Sequence, residues 1–243
     1  MSNYEEMRIF LLEYRQRVRG LRRNNRNYVF NEDINSYINE NITPQLIIVG
    51  DNPGYNEHRY KKFLHENGNA GKIARNFLKS AYGDDCFSRE IIVFNKSNFY
   101  TSISSDLNSA ILRNNREIKE DISFNAGIVV EISRILNIPV LIIGLNKNIK
   151  LFESFHDDME SAVLEKEILI HKIPHFSRSS CFQKGWMRRY GDVYDNFIDG
   201  RRDMPRLIKD NGGINYKILC QNDGMAMEYL RDVMLSEQTL YSR

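Results

Sequence analysis

Four short apolar runs punctuate the chain: Leu46–Gly50, Ile91–Asn95, Val140–Gly144 and Ile168–Ile173. Each is nearly all hydrophobic rather than alternating, the pattern of a strand covered on both faces. Longer stretches with helical spacing separate them. Ala70–Tyr82, Phe124–Leu136 and Lys147–Met159 read as crossover helices, and in the second Phe124, Ile128, Ile132 and Ile135 form one stripe. This alternation predicts an α/β fold of three layers, with a central four-stranded parallel sheet flanked by helices. Amphipathic helices fit Met1–Arg23 and about Phe182–Phe197, where Trp186, Tyr190, Val193 and Phe197 share a face. From Asp199 the pattern breaks at Pro205, Asp210-Asn211-Gly212-Gly213 and Asp223-Gly224, before a helix over Met225–Leu235. The expectation is a single domain with its core over about residues 40–200 and a helical C-terminal appendage over 200–243.

Composition narrows the class. The 243 residues are 42% hydrophobic and 27% charged, as in a soluble globular protein. No apolar run approaches the ~20 residues that cross a bilayer. Acids come early at the N-terminus and no small-residue cleavage site follows, so a cytoplasmic location and no membrane partner are expected. Cys86, Cys181 and Cys220 are too few and too scattered for a disulfide framework or a Cys-x-x-Cys motif, and the five histidines lack zinc-ligand spacing. No metal and no cofactor is expected. The net charge of +2 conceals an uneven distribution: Arg15, Arg17, Arg19, Arg22, Arg23 and Arg26 run without an acid among them, and Lys172, Arg178, Lys184, Arg188 and Arg189 form a second basic stretch. Clusters of this kind suit a polyanion such as nucleic acid, while a solvated helix face gives the same pattern.

In an open parallel sheet, ligands bind beyond the carboxyl ends of the strands. After the first strand comes Asp51-Asn52-Pro53-Gly54; after the second, Lys96-Ser97-Asn98-Phe99-Tyr100-Thr101 follows Asn95; after the fourth, Pro174-His175-Phe176-Ser177-Arg178. A carboxylate, an amide and an imidazole are thus expected on one edge. Asp-Asn-Pro-Gly is also ordinary turn chemistry, in which Asp51 merely caps the turn.

The order GDNPGYNE, then Gly68-Asn69-Ala70-Gly71, then Asn95, then HFSRS resembles the uracil-DNA glycosylase superfamily over roughly residues 46–182. The resemblance implies a monofunctional hydrolase that flips a deaminated base, uracil or a relative, out of DNA and cleaves its N-glycosidic bond during repair. It also implies a monomer that needs no metal. On this reading Asp51 or Asn52 holds the water, Asp51 stabilises the cationic sugar, and His175 donates to the departing base. Asn95 reads the base edge, Gly54 leaves room at its C5 position, and Tyr55, Phe63 or Phe94 supplies a stacking surface. Gly68, Gly71, Lys96, Ser177, Arg178 and Ser179 would contact the DNA backbone. Asp51→Asn would then slow the reaction with little loss of stability.

The chain departs from the family's pattern at three places. Phe176 stands where a proline is usual, Glu66 where many relatives carry an aromatic ring, and Ser179 where an apolar wedge is usual, with Phe182 the nearest substitute. GNAGKIA is not a Walker loop, because Glu66 and Ile73 occupy positions that need glycine and a hydroxyl. The alternative to an enzyme is a nucleic-acid or nucleobase binding protein that keeps the fold and has lost the reaction. A third class, a protein-interaction module built on the basic N-terminal helix and the C-terminal tail, fits the same sequence.

Overall fold

A computed structural model describes residues 1–82, 86–144, 149–166, 168, 170–173, 175 and 176. The helices expected over Phe182–Phe197 and Met225–Leu235, and the C-terminal appendage as a whole, lie outside the described residues.

Helix α1 (Asn3–Asn24) begins where Ser2 accepts a hydrogen bond from the Glu5 amide and Glu5 reaches back to the Ser2 amide, a reciprocal cap. Its buried stripe is Met7, Leu11, Tyr14 and Val18. A short helix α2 (Ile34–Asn39) leads into β1 (Leu46–Gly50). There follow α3 (Tyr55–Tyr60), α4 (Asn69–Tyr82), α5 (Cys86–Arg89) and β2 (Ile91–Asn95). Then come α6 (Ala110–Arg113), α7 (Arg116–Leu136), β3 (Val140–Ile143), α8 (Glu153–Lys166) and β4 (Ile170–Ile173).

The strands form a small open parallel sheet in the order β2-β1-β3-β4. Leu46 pairs with Ile91 and Gly50 with Asn95, while Ile47 to Val49 pair with Val140 to Ile142. Ile47, Val49, Ile92, Phe94, Val140 and Ile142 join one core cluster with α1, α7 and α8. Leu46, Ile48, Ile91, Val93, Leu141 and Ile143 point to the other face and are buried too. Burial of both faces accounts for the unbroken apolar runs in the sequence. The general α/β class is therefore what the described residues adopt.

The boundaries differ from expectation in instructive places. Helix α7 starts two turns before Phe124, capped by the Asn115 side chain on the Ile118 amide. The helix expected from Lys147 starts only at Glu153, because Lys150–Phe152 form a 3-10 turn that buries Leu151 and Phe152. The helix α3 was not expected, since its six residues look like loop.

Gly71, in the first turn of α4, permits a close approach. A Cβ there would overlap the carbonyl oxygens of Leu64 and His65, which are backbone and cannot rotate away. Gly71→Ala is expected to cost on the order of 1–3 kcal/mol, read as a lower urea midpoint at unchanged slope. An unchanged midpoint would mean that the loop at residues 64–65 yields freely.

Candidate functional site at the strand ends

The sheet ladder continues past the strands themselves. The Lys96 amide donates to the Gly50 carbonyl at 2.8 Å and the Ser97 amide to the Asp51 carbonyl at 3.2 Å. Residues 51 and 96–97 are therefore held side by side. Pro53 is buried, and Gly54 donates its amide to Glu57 Oε2 at 2.7 Å, so the turn leads directly into α3. Leu64 donates its amide to the other Glu57 oxygen at 2.6 Å. Burial pushes the Glu57 carboxyl up to about 7, against the lowering effect of those two amides. Gly54 has φ −88°, so it is not there for left-handed backbone.

Within this frame, Lys96 turns inward. Its Nζ lies 2.6 Å from Asp51 Oδ1 and donates to the Gly144 carbonyl at 2.8 Å, with the Phe152 ring 5.2 Å away. The Lys96 side chain is 0% exposed and that of Asp51 6%. Gly144 makes room for the pair: it has φ +91°, and a Cβ on it would sit 2.8 Å and 2.9 Å from the two Asp51 carboxylate oxygens. The expectation that Lys96 contacts a DNA backbone is corrected by this arrangement, since its ammonium turns inward and is already engaged by the Asp51 carboxylate and the Gly144 carbonyl.

Two amides beside the pair carry polar atoms with no hydrogen-bond partner. Asn52 donates through Nδ2 to Thr101 Oγ1 at 2.8 Å, which leaves its Oδ1 buried and unpaired. Asn95 likewise buries an unpaired Nδ2, while Gly50 lies against its Oδ1, where a Cβ would collide. An unmade hydrogen bond in a buried place costs about 1–3 kcal/mol, so one such acceptor and one such donor at neighbouring strand ends call for an explanation.

Behind these residues lies a fully buried polar network that sequence reasoning missed. Asp121 of α7 accepts from Ser97 Oγ (3.0 Å), the Asn98 amide (2.7 Å) and Asn98 Nδ2 (2.9 Å). Tyr14 donates to Asn98 Oδ1 at 2.6 Å, and Asn125 Nδ2 donates to the carbonyls of Asn95 and Lys96 at 3.2 Å each. The network clamps the segment that carries Asn95 and Lys96 onto α7. The available signal was Asp121 and Asn125 standing four apart on an otherwise apolar helix face.

Burial pushes the Asp121 carboxyl up to about 6, although its three donors pull the other way. Its folded value lies above its unfolded value near 3.8. The stability it contributes is thus complete below about pH 4 and is lost as pH rises through about 6. Urea unfolding of wild type and Asp121→Asn at pH 4 and pH 7 is expected to show a larger loss in the wild type, since the raised Glu57 carboxyl contributes equally to both proteins. An identical pH profile in both proteins would remove Asp121 as its source.

The other expected site residues are placed as follows. Tyr55 is 63% exposed beside the turn, open to a partner. Phe63 and Phe94 are both 0% exposed, and Phe94 packs edge-on to Tyr14 at 5.1 Å, so neither can offer a stacking face. Gly68 spends its amide on the His65 carbonyl at 2.8 Å and Gly71 is covered by the same loop, so neither presents an amide to phosphate. His175 is partly exposed just after β4, two strands from β1, or about 10 Å at ordinary strand spacing. Ser177, Arg178 and Ser179 lie outside the described residues.

Among the described residues no cluster of His, Cys, Asp and Glu could hold a metal ion, and no helix is long and apolar enough to cross a membrane. The fold and site thus define an α/β protein with a buried, incompletely satisfied polar centre at its strand ends. No protein-family model and no curated protein matches the chain.

Proposed function

We propose that the chain recognises a nucleobase at the ends of β1 and β2 and hydrolyses its N-glycosidic bond in DNA, as a divergent relative of the uracil-DNA glycosylases. On this reading the sheet with helices on both faces is the three-layer, four-stranded form of that fold, with residues 200–243 as an appendage. The observation that carries the reading is the pair of buried, unpartnered atoms, Asn52 Oδ1 and Asn95 Nδ2. A base with a carbonyl oxygen would accept from Asn95 Nδ2, and a water held on Asn52 Oδ1 would be positioned for the sugar carbon. Water adds to that carbon as its bond to the base nitrogen breaks. The base departs with the bonding electrons and takes up a proton, while His175 donates to its O2 oxygen as charge gathers there.

Water-holding moves from Asp51 to Asn52 in this scheme, because the Asp51 carboxylate is engaged by Lys96. That same engagement favours a second reading, binding without turnover: a carboxylate neutralised by an ammonium does little for a cationic sugar. Incubation with oligonucleotides containing uracil, hypoxanthine or xanthine, followed by alkali, separates the two. Strand cleavage is the expected result; retarded but intact strands would support binding alone, and neither outcome at low salt would overturn both readings.

A further inference from the structure

A second feature lies beyond the strand ends. Arg19, Arg22, Arg23 and Arg26, from the end of α1 and the loop after it, face His58 and Lys61, from the end of α3, across a cleft of about 680 Å³. The one acid lining it, Glu32, is already engaged: Arg19 Nη2 lies 2.9 Å from its Oε2, and Asn35 Nδ2 donates to the same oxygen at 2.6 Å. Among the described residues no carboxylate pairs with Arg22, Arg23, Arg26 or Lys61. The dipole of α1 accounts for cations in its last turn, Arg22 and Arg23. It does not account for Arg26, His58 and Lys61, which two other segments bring to the same cleft.

His58 is built into this wall. Its ring stacks on Tyr100 at 4.3 Å, and its Nε2 lies 3.3 Å from the Arg26 carbonyl. A carbonyl can only accept, so the neutral ring carries its proton on Nε2 and leaves Nδ1 as an acceptor. Protonation would turn Nδ1 into a second donor.

We propose that this cleft binds phosphoryl oxyanions supplied by a nucleic-acid backbone, and that His58 takes up a proton as the anion enters. The proposal stands on the cleft's own residues and survives if the strand-end site proves inert. Every group facing His58 has a part in the coupling: Arg19, Arg22, Arg23 and Arg26 from one wall, Lys61 at the end of its own helix, Glu32 below, and Tyr100 on its ring. Burial, Lys61 and Arg22 hold the imidazole below its ordinary value, and the Arg26 carbonyl offsets them in part. A bound anion reverses the local charge and raises it. Binding is then accompanied by proton uptake, and affinity rises as pH falls through the interval between the free and bound values.

The test is anisotropy of a fluorescent ten-residue oligothymidylate, which has no deaminated base and whose phosphodiesters do not titrate near neutrality. Binding is expected to be several-fold tighter at pH 6 than at pH 8. Arg22→Gln/Arg26→Gln should lower the slope of log affinity against log salt by about 1.4, at ~0.7 for each lost contact. His58→Gln should remove most of the pH dependence, leaving only the part due to the adjacent Glu57 carboxyl, while the salt slope at pH 8 is unchanged. Thermal melting confirms that each variant is folded. Unchanged salt slope in the arginine variant, or unchanged pH dependence in His58→Gln, would overturn the proposal. Inorganic tripolyphosphate, titrated calorimetrically, serves as the second arm. Binding of tripolyphosphate without oligothymidylate would overturn the nucleic-acid source and assign a free oligophosphate.

Discussion

Lys96→Met is expected to lower stability by about 3–5 kcal/mol, because it leaves the Asp51 carboxylate buried without its counter-charge. For a chain of this size that corresponds to a fall in melting temperature of roughly 10 °C. Asp51→Asn should cost a comparable amount for the mirror-image reason, an ammonium left buried against Phe152 and the Gly144 carbonyl. From the sequence alone, Asp51→Asn was expected to slow the reaction and spare the fold; the ion pair turns it into a stability variant. The double replacement Asp51→Asn/Lys96→Met removes both charges and is expected to recover most of the loss, since a buried pair gains little over neutral side chains of similar volume. Urea midpoints of the four proteins close the cycle. Equal midpoints for Lys96→Met and wild type would show that the pair does not hold the strand ends together.

The second large effect belongs to Asn95. Its Nδ2 has no partner, so Asn95→Ala forfeits no side-chain donor bond there and should change stability by no more than about 1 kcal/mol. Loss of that donor should nevertheless slow base excision on the order of 100-fold or more, the usual consequence of removing a group aimed at developing charge. A stability loss of several kcal/mol with proportionate loss of activity would instead make Asn95 a structural residue. Single-turnover cleavage and urea unfolding on the same preparation decide between them.

The strands were legible because burial on both faces leaves unbroken apolar runs, as in Leu46–Val49 and Ile91–Phe94. The convergence of Asp51 and Asn95 was legible for a related reason. Parallel neighbours bring their carboxyl ends to one edge, and Gly50 does pair with Asn95. The first turns of α7 were obscured because Arg116, Lys119 and Glu120 are exposed, so the apolar stripe thins there even as Ile118 and Ile122 stay buried. Helix α3 is too short for periodicity to register, and its stability rests on Glu57 bridging two backbone amides.

What the sequence could not announce was the inward turn of Lys96. Lysine is almost never fully buried, so its default reading is a solvated cation, and its partner Asp51 lies 45 residues away with no local spacing rule to join them. Gly144 carried the complementary signal, a glycine closing a strand, yet the carboxylate it accommodates becomes evident only when β3 is set beside β1. The stacking role expected of Phe63 failed for the same kind of reason. A single aromatic residue near a site does not reveal whether its ring faces the ligand or the core, and this one is wholly enclosed.

The central claim is that Asn52 and Asn95 hold a nucleobase, and the side-chain amide resonances of these two residues report on it directly. A single-stranded oligonucleotide carrying one 2′-fluoro-2′-deoxyuridine resists cleavage and can be titrated into nitrogen-15-labelled protein. The account predicts a downfield shift of the Asn95 side-chain amide protons as their unpaired donor finds a carbonyl, with a smaller change at Asn52. The same oligonucleotide with a base-free tetrahydrofuran residue at that position serves as the reference for backbone binding alone. If the strand binds and both amides stay where they are in the free protein, the base is not held at the strand ends and the account is wrong.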